Sequence, residues 1–238
     1  MSRPGARVLV VGVGGIGCPA AMMLARAGVG TIGLCDDDEV DATNLHRQIL
    51  FSAADAAARR PKVEAAARAL RAWQPGVDVE VHDTRLLPGV AVDRVRGYDL
   101  VLEGADNFAT KFLAADACAV AGVPIVQASA VRWVGTVLAV GAAGRPCYRC
   151  VFEEEPEEGG EGCSVAGVMG PVVGVVAAAQ VDLALAILDG ESVEGQIVTF
   201  DGRTEVLRRR SAAARPDCPL CGNPRRIAAA VASAHAPA

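Results

Sequence analysis

Eight cysteines and a small set of charged residues carry most of the chemistry open to this sequence. Four of the cysteines form two Cys-x-x-Cys pairs, Cys147-Tyr148-Arg149-Cys150 and Cys218-Pro219-Leu220-Cys221, with 67 residues between them. Four thiolates arranged this way are the usual tetrahedral set for a structural zinc ion. The separation is long for a single ribbon, so the fold must bring the pairs together. The expected site is closed, ties the C-terminal segment to the rest, and offers no open position for catalysis. Cys163 is of another kind. It directly follows Glu153 to Gly162 (EEEPEEGGEG), an acidic, glycine-rich stretch containing a proline, which reads as a mobile loop. A thiol there is accessible, as reactivity requires. The residues alone leave it open between a reactive thiol and a small apolar filler.

A second constellation points to a nucleotide. Gly12-Val13-Gly14-Gly15-Ile16-Gly17 follows the apolar run Val8 to Val11 and precedes a small-residue helical run from Cys18 to Ala27. A short strand from Thr31 to Cys35 then ends in Asp36, 19 positions after Gly17. Such a strand-loop-helix-strand unit binds nucleotides for physical reasons. Glycines permit a tight turn and close backbone approach, the helix N-terminus faces phosphate, and the acid takes ribose hydroxyls. A nicotinamide-dependent oxidoreductase would show the same first 36 residues, so later positions must decide.

Those positions favour phosphate. Asn44 and Arg47 lie three apart on a possible helical turn and can face one site. Lys62 stands in the first turn of a helix opened by Pro61, with Val63, Ala66, Ala67 and Leu70 as its apolar face. The helix dipole does not favour a cation there; a bound phosphate would supply a reason, and a solvated surface lysine is the other reading. Asp106, after a strand from Tyr98 to Glu103, is a turn residue or a metal-facing carboxylate. Magnesium is commonly held by one or two carboxylates plus substrate phosphates. With Arg47, Lys62 and the glycine loop, Asp106 completes a set suited to a triphosphate, which hydride transfer does not need.

The elements that must position these groups alternate. Strands are expected at Val8 to Val11, Thr31 to Cys35, Val77 to Val81, Tyr98 to Glu103 and Pro124 to Gln127. Helices follow Gly17, Pro61 and Asn107 (a plausible cap), with a short one within Leu86 to Arg96. This pattern implies a parallel sheet whose carboxyl edge collects ligands. Gly12 to Gly17, Asp36, Asp106 and Arg132 each follow a strand and are expected to converge there. Trp133 to Val140 reads as a further strand, and Gln196 to Phe200 with Glu205 to Leu207 as a hairpin around Asp201-Gly202. The apolar stretch Pro171 to Leu188 is interrupted by Gln180 and Asp182. An Asp near the centre of a membrane helix costs about 2.5–3.5 kcal/mol, so a buried or subunit-interface helix fits better.

Length and composition read as those of an ordinary soluble protein. The chain has 238 residues, 52% hydrophobic and 21% charged, enough for one large domain or one and a half with a substantial core. A formal net charge of -5 argues against nonspecific nucleic-acid binding. No secretory signal precedes Val8, so a reducing, cytoplasmic setting is expected, favouring metal or thiol chemistry over disulfides.

On GVGGIG, DDDEVDATNLHRQILF, RPKVE, GADN, CYRC, AGVMGPVVGV and CPLCG, from about Arg7 to Gly222, the chain resembles the ThiF/MoeB/HesA family, bacterial relatives of ubiquitin-activating enzymes. The resemblance implies an α/β fold: a Rossmann-like, doubly wound, mainly parallel sheet extended by antiparallel strands, with a structural zinc site. It implies one adenylation domain over 1–222, with a nucleotide-binding half (7–132), a carrier-binding and zinc half (133–222), and a disordered tail (223–238). The implied activity is ATP- and magnesium-dependent adenylation of the C-terminal glycine of a ubiquitin-like sulfur carrier of ThiS or MoaD type, ending in Gly-Gly. Carried onto matching positions, Gly12, Gly14, Gly15 and Gly17 approach the nucleotide and Asp36 holds its ribose. Asn44, Arg47 and Lys62 contact phosphates, and Asp106 serves magnesium. Cys147, Cys150, Cys218 and Cys221 hold zinc, and Cys163 matches the cysteine that joins the carrier during sulfur transfer in ThiF-like members. A homodimer through Pro171 to Leu188 and a sulfurtransferase or cysteine desulfurase as sulfur donor are implied as well. Family members usually carry an extra N-terminal helix whose arginine reaches the partner's ATP site, whereas here Met1 to Ala6 precede the first strand. Arg3 is the nearest substitute; the alternatives are a truncated start, weaker activity, or another arginine. A family member reduced to a carrier-binding module is a competing reading.

Overall fold

Val8 to Val11 lie at the centre of a sheet covered on both faces, which is why the run does not alternate with polar residues. In the computed structural model, which describes residues 2–155, 167–223 and 225–227, they end strand β1 (Arg3–Val11). Val8 and Val10 join a core with Leu24, Val63, Leu70 and Val176, while Leu9 and Val11 face the other way, onto Ala91, Val95 and Phe112. Parallel strands buried on both sides are expected to be continuously apolar.

Around β1 the chain winds in two directions. Helix α1 (Gly17–Arg26) leads to β2 (Val29–Asp36). A single 3₁₀ turn (Ala42–Asn44), the short α2 (Ala53–Ala57) and α3 (Lys62–Trp73) lead on to β3 (Asp78–Asp83). On the other side, α4 (Pro88–Arg96) precedes β4 (Leu100–Glu103), and α5 (Phe108–Ala121) precedes β5 (Ile125–Val131). These five strands are parallel, in the order β3-β2-β1-β4-β5. Strand order therefore reverses beside β1, the position where open α/β sheets form a ligand crevice.

Three antiparallel strands, β6 (Val134–Val140), β7 (Gln196–Asp201) and β8 (Val206–Ser211), complete an eight-stranded sheet. Pairing with β6 extends β5 beyond the expected end at Gln127: Ser129, Ala130 and Val131 all have partners on β6. Helix α6 (Tyr148–Val151) starts after Cys147, its N-cap, and includes Cys150. Helix α7 (Gly170–Leu188) is long and apolar enough to cross a membrane, with a mean hydropathy of 2.0 in its most apolar stretch. Here it packs on β5, β6 and α1, and the Gln180 amide donates to the carbonyls of Glu103 (2.9 Å) and Val126 (2.8 Å). Gln180 is thus used inside the fold, whereas Asp182 is exposed and pairs with Arg209 (3.0 Å). Arg3, the nearest substitute for a reaching arginine, lies within β1, and its Nε donates to Asp189 Oδ1 at the end of α7 (2.8 Å).

Candidate nucleotide cleft and thiolate centre

The glycine loop owes its shape to contacts on both sides. Gly12 has φ +84°, and a Cβ there would lie 2.8 Å from the Ala105 nitrogen, so the β1–α1 and β4–α5 loops touch. A Cβ at Gly17 would meet the Gly12 oxygen at 2.0 Å. Gly17 is thus the closely packed start of α1 and not part of the cleft wall, whereas Gly12, Gly14 and Gly15 line a cleft of about 330 Å³.

Asp36, at the end of β2, lines the same cleft and accepts from the backbone N–H of Val13 (2.6 Å) and Asp38 (2.9 Å). Burial pushes its carboxyl above the usual carboxylate range, against the pull of Lys62 and the two amides. Lys62 also lines the cleft. It is buried, and its Nζ donates to Asp38 Oδ2 at 2.7 Å. A cation in the first turn of α3 therefore has a local reason, a carboxylate partner from the acidic run after β2. Arg85, which also lines the cleft, pairs with Asp37 (3.3 Å). The acidic run is thus partly built into the site rather than a purely solvated turn.

Arg47 lies half-buried against Gly15 and lines the cleft, as does the buried Gln48 beside it. Asn44 does not line it. Its backbone carbonyl accepts the N–H groups of Arg47 and Gln48 (both 3.0 Å), so it shapes the turn that presents them. Asp106 is exposed on the cleft wall, and Asn107 caps α5 by accepting from Thr110 N–H (2.8 Å). Arg132 is not among the residues lining the cleft, contrary to the expected convergence, although its bridge partner Val168 is. The β5–β6 pairing carries it past the parallel edge into the turn before β6, at φ +54°, where its backbone bonds Gly167 and Met169. Ser129 and Ala130 line the cleft in its place.

Residue spacing did not disclose the buried groups beneath. Glu103, Lys111, Gln127 and Gln180 are all at most 4% exposed and interlinked. The only signal was a polar residue ending each of two apolar strand runs and interrupting two helices.

The two cysteine pairs meet at the far end of α5. Cys147 Sγ lies 3.8 Å from Cys150 Sγ and 3.4 Å from Cys218 Sγ, and Cys150 Sγ lies 3.4 Å from Cys221 Sγ. All four sulfurs fall within 4.8 Å of one another. Burial works against the Cys218 thiolate, but the Cys221 and Leu220 amides and neighbouring thiols bring it down to about 7. Arg149, between the first two cysteines, grips the fully buried Asp116 of α5 through two hydrogen bonds (2.9 and 2.8 Å). Cys18 and Cys35 stand apart, their thiols pushed by burial up to about 12 and about 11. Cys163 lies outside the described residues, as does most of the acidic stretch before it.

Fold and site together define a Rossmann-like α/β protein with a cation-lined cleft at its switch point and a four-cysteine cluster holding its C-terminal segment. The chain belongs to the ThiF family, whose profile matches residues 5–220. It is 44% identical over 228 residues to adenylyltransferase and sulfurtransferase MOCS3 of Bos taurus, a match covering 91% of this chain and 48% of that protein. The corresponding protein uba4 of Emericella nidulans is 40% identical, with the same coverage. The chain thus spans about half the length of these relatives. Among solved structures, E. coli MccB with AMPCPP and MccA superposes with a TM-score of 0.80 at 23% identity, covering 92% of this chain and 67% of that one. PaaA gives 0.71 at 19% identity, covering 88% and 64%. At these identities the likeness is one of fold.

Proposed function

We propose that this chain is an ATP-dependent adenylyltransferase that activates the C-terminal glycine of a ubiquitin-like sulfur carrier. The observation that carries the reading is the gathering of the glycine loop, Arg47, Lys62 and Asp106 around one cleft in a ThiF-family chain. The names of the MOCS3 and uba4 relatives support it.

In this reading Gly12, Gly14 and Gly15 let the nucleotide approach the backbone, and Asp36 takes the ribose. A carboxylate oxygen of the carrier bonds to the α-phosphorus, the bond from that phosphorus to the bridging oxygen breaks, and pyrophosphate leaves with the electron pair. No general base is needed, because a terminal carboxyl with a pKa of about 3.3–3.7 is already ionised. Arg47 and Lys62 neutralise phosphate charge and fix the in-line geometry, with Asn44 acting through the turn that holds Arg47. Asp106 is the carboxylate suited to magnesium, which when bound supplies further charge neutralisation. The thiolate cluster fits zinc: a tetrahedron of about 2.3 Å bonds separates sulfurs by about 3.8 Å, near the spacings observed. We assign Cys147, Cys150, Cys218 and Cys221 to it, with a structural role.

A cytoplasmic setting, a sulfurtransferase or cysteine desulfurase donor, and a homodimer through the partly exposed face of α7 complete the proposal. Equilibrium sedimentation at micromolar protein tests the dimer, and a monomer alone would refute it. The decisive experiment is carrier-dependent ATP–pyrophosphate exchange with ThiS-like and MoaD-like carriers ending in Gly-Gly. Wild type should catalyse exchange and Asp106→Ala should lose about 10²-fold or more. Absence of exchange with every carrier would sink the assignment.

A further inference from the structure

Beneath the cleft lies an ion pair that the adenylation reading does not use. Glu103, the last residue of β4, is fully buried, and Lys111 in α5 is 4% exposed. Lys111 Nζ donates to both carboxylate oxygens of Glu103 (3.2 and 3.0 Å) and to the Ala128 carbonyl (2.7 Å). Glu103 Oε1 also accepts from Ala105 N–H at 2.7 Å, and Gln127 Nε2 approaches Oε2 at 3.4 Å. The opposite oxygen of the Gln127 amide is buried with no hydrogen-bond partner among the described residues.

Stability alone does not account for this arrangement. An apolar pair of similar volume is often as stable as a buried ion pair or more so, because desolvating two charges is expensive. Geometry gives the better account. Ala105, whose amide Glu103 holds, immediately precedes Asp106, and its backbone abuts Gly12 of the phosphate loop. Ala128, whose carbonyl Lys111 holds, immediately precedes the cleft residues Ser129 and Ala130. Gln180 of α7 ties the Glu103 carbonyl from the other face of the sheet.

We propose that Glu103 and Lys111 are positioning residues that lock the Gly104–Asn107 turn, and through it set the place of the Asp106 carboxylate against the glycine loop. This rests on the reading above, in which Asp106 serves the metal-bound nucleotide. The pair acts on the metal-dependent part of nucleotide binding and leaves metal-free binding alone, since neither residue lines the cleft.

The test uses the full chain and the double variant Glu103→Gln/Lys111→Met, which removes both charges but keeps an amide oxygen for the Ala105 N–H. Two quantities are measured without carrier: amide hydrogen exchange of residues 104–107 in nucleotide-free protein, and calorimetric ATP affinity with and without magnesium. Exchange of the turn should quicken about tenfold or more. The magnesium-dependent gain in affinity should shrink about 10- to 100-fold, as for other partners that orient a metal ligand, with metal-free affinity unchanged. Lys111→Arg, which retains a cationic donor, should recover most of both. A folded double variant with wild-type exchange and a wild-type magnesium gain overturns the proposal. If the double variant does not fold, Glu103→Asp, which draws the carboxylate back by one methylene, meets the same two criteria. A wild-type chain that binds no ATP overturns the adenylation reading instead, and amide exchange alone then decides whether the pair holds the turn.

Discussion

Glycines in one loop differ in what their missing side chains permit. A methyl group at Gly17 would collide with the Gly12 carbonyl, whereas at Gly14 it would meet only the Gln48 amide, at 3.7 Å. Gly17→Ala is therefore expected to lower stability by about 1–3 kcal/mol, the usual range for overpacking. Gly14→Ala should keep its melting temperature and lose nucleotide affinity, about tenfold, if phosphate lies against that loop. Thermal melts and ATP titration of the two variants separate the cases, and equal loss of stability in both would refute the distinction. Lys62 teaches a similar lesson. Its type and place pointed to phosphate, yet its observed partner is Asp38, so the residue's surroundings were only half legible.

At the scale of elements, the joint between α2 and α3 is held by Asp55. Ser52 and Asp55 form a reciprocal cap at the start of α2, and Arg60 and Arg68 close on the same carboxylate. Burial alone would raise the Asp55 pKa, but the Ser52 and Arg68 hydrogen bonds hold it well below the usual carboxylate range. A depressed folded value means that its contribution is complete above the unfolded value of about 3.9 and fades as pH falls toward the folded one. Asp55→Asn should cost about 1.5–3 kcal/mol at neutral pH, the range for hydrogen bonds to charged groups. The gap in melting temperature between variant and wild type should hold down to about pH 5 and narrow below about pH 4. A gap independent of pH would show that packing, not charge, holds the joint. This joint matters to the site because it leads into Lys62.

Across the whole molecule, the thiolate centre and the cleft stand at different ends of α5. Arg149 and Asp116 fasten the first cysteine pair to that helix, and the guanidinium also lies 4.8 Å from the centre of the Phe112 ring. Zinc at the four sulfurs would staple the C-terminal segment to the back of the nucleotide-binding strands. Zinc binding to small peptides is worth about 10–16 kcal/mol, so its removal should be felt throughout. Cys218→Ser is expected to abolish stoichiometric zinc, read by elemental analysis, and to lower the melting temperature of the chain. A zinc-free wild type with the same melting temperature would reject the site.

What the sequence alone determined about this protein was local and periodic. The apolar run, glycine loop and acid of the first 36 residues, the apolar face of α3, the Asn107 cap and the two cysteine pairs were legible because short-range spacing dictates each of them. Tertiary structure decided which separated residues meet. The cysteine pairs join across 67 residues, Asp38 claims Lys62, and Glu103 finds Lys111 under the cleft. Antiparallel pairing with β6 carries the backbone at Arg132 past the parallel edge, and Ser129 and Ala130 line the cleft. Such contacts depend on strand order and on how far a strand continues, and both are set by through-space pairing and burial that residue periodicity does not encode.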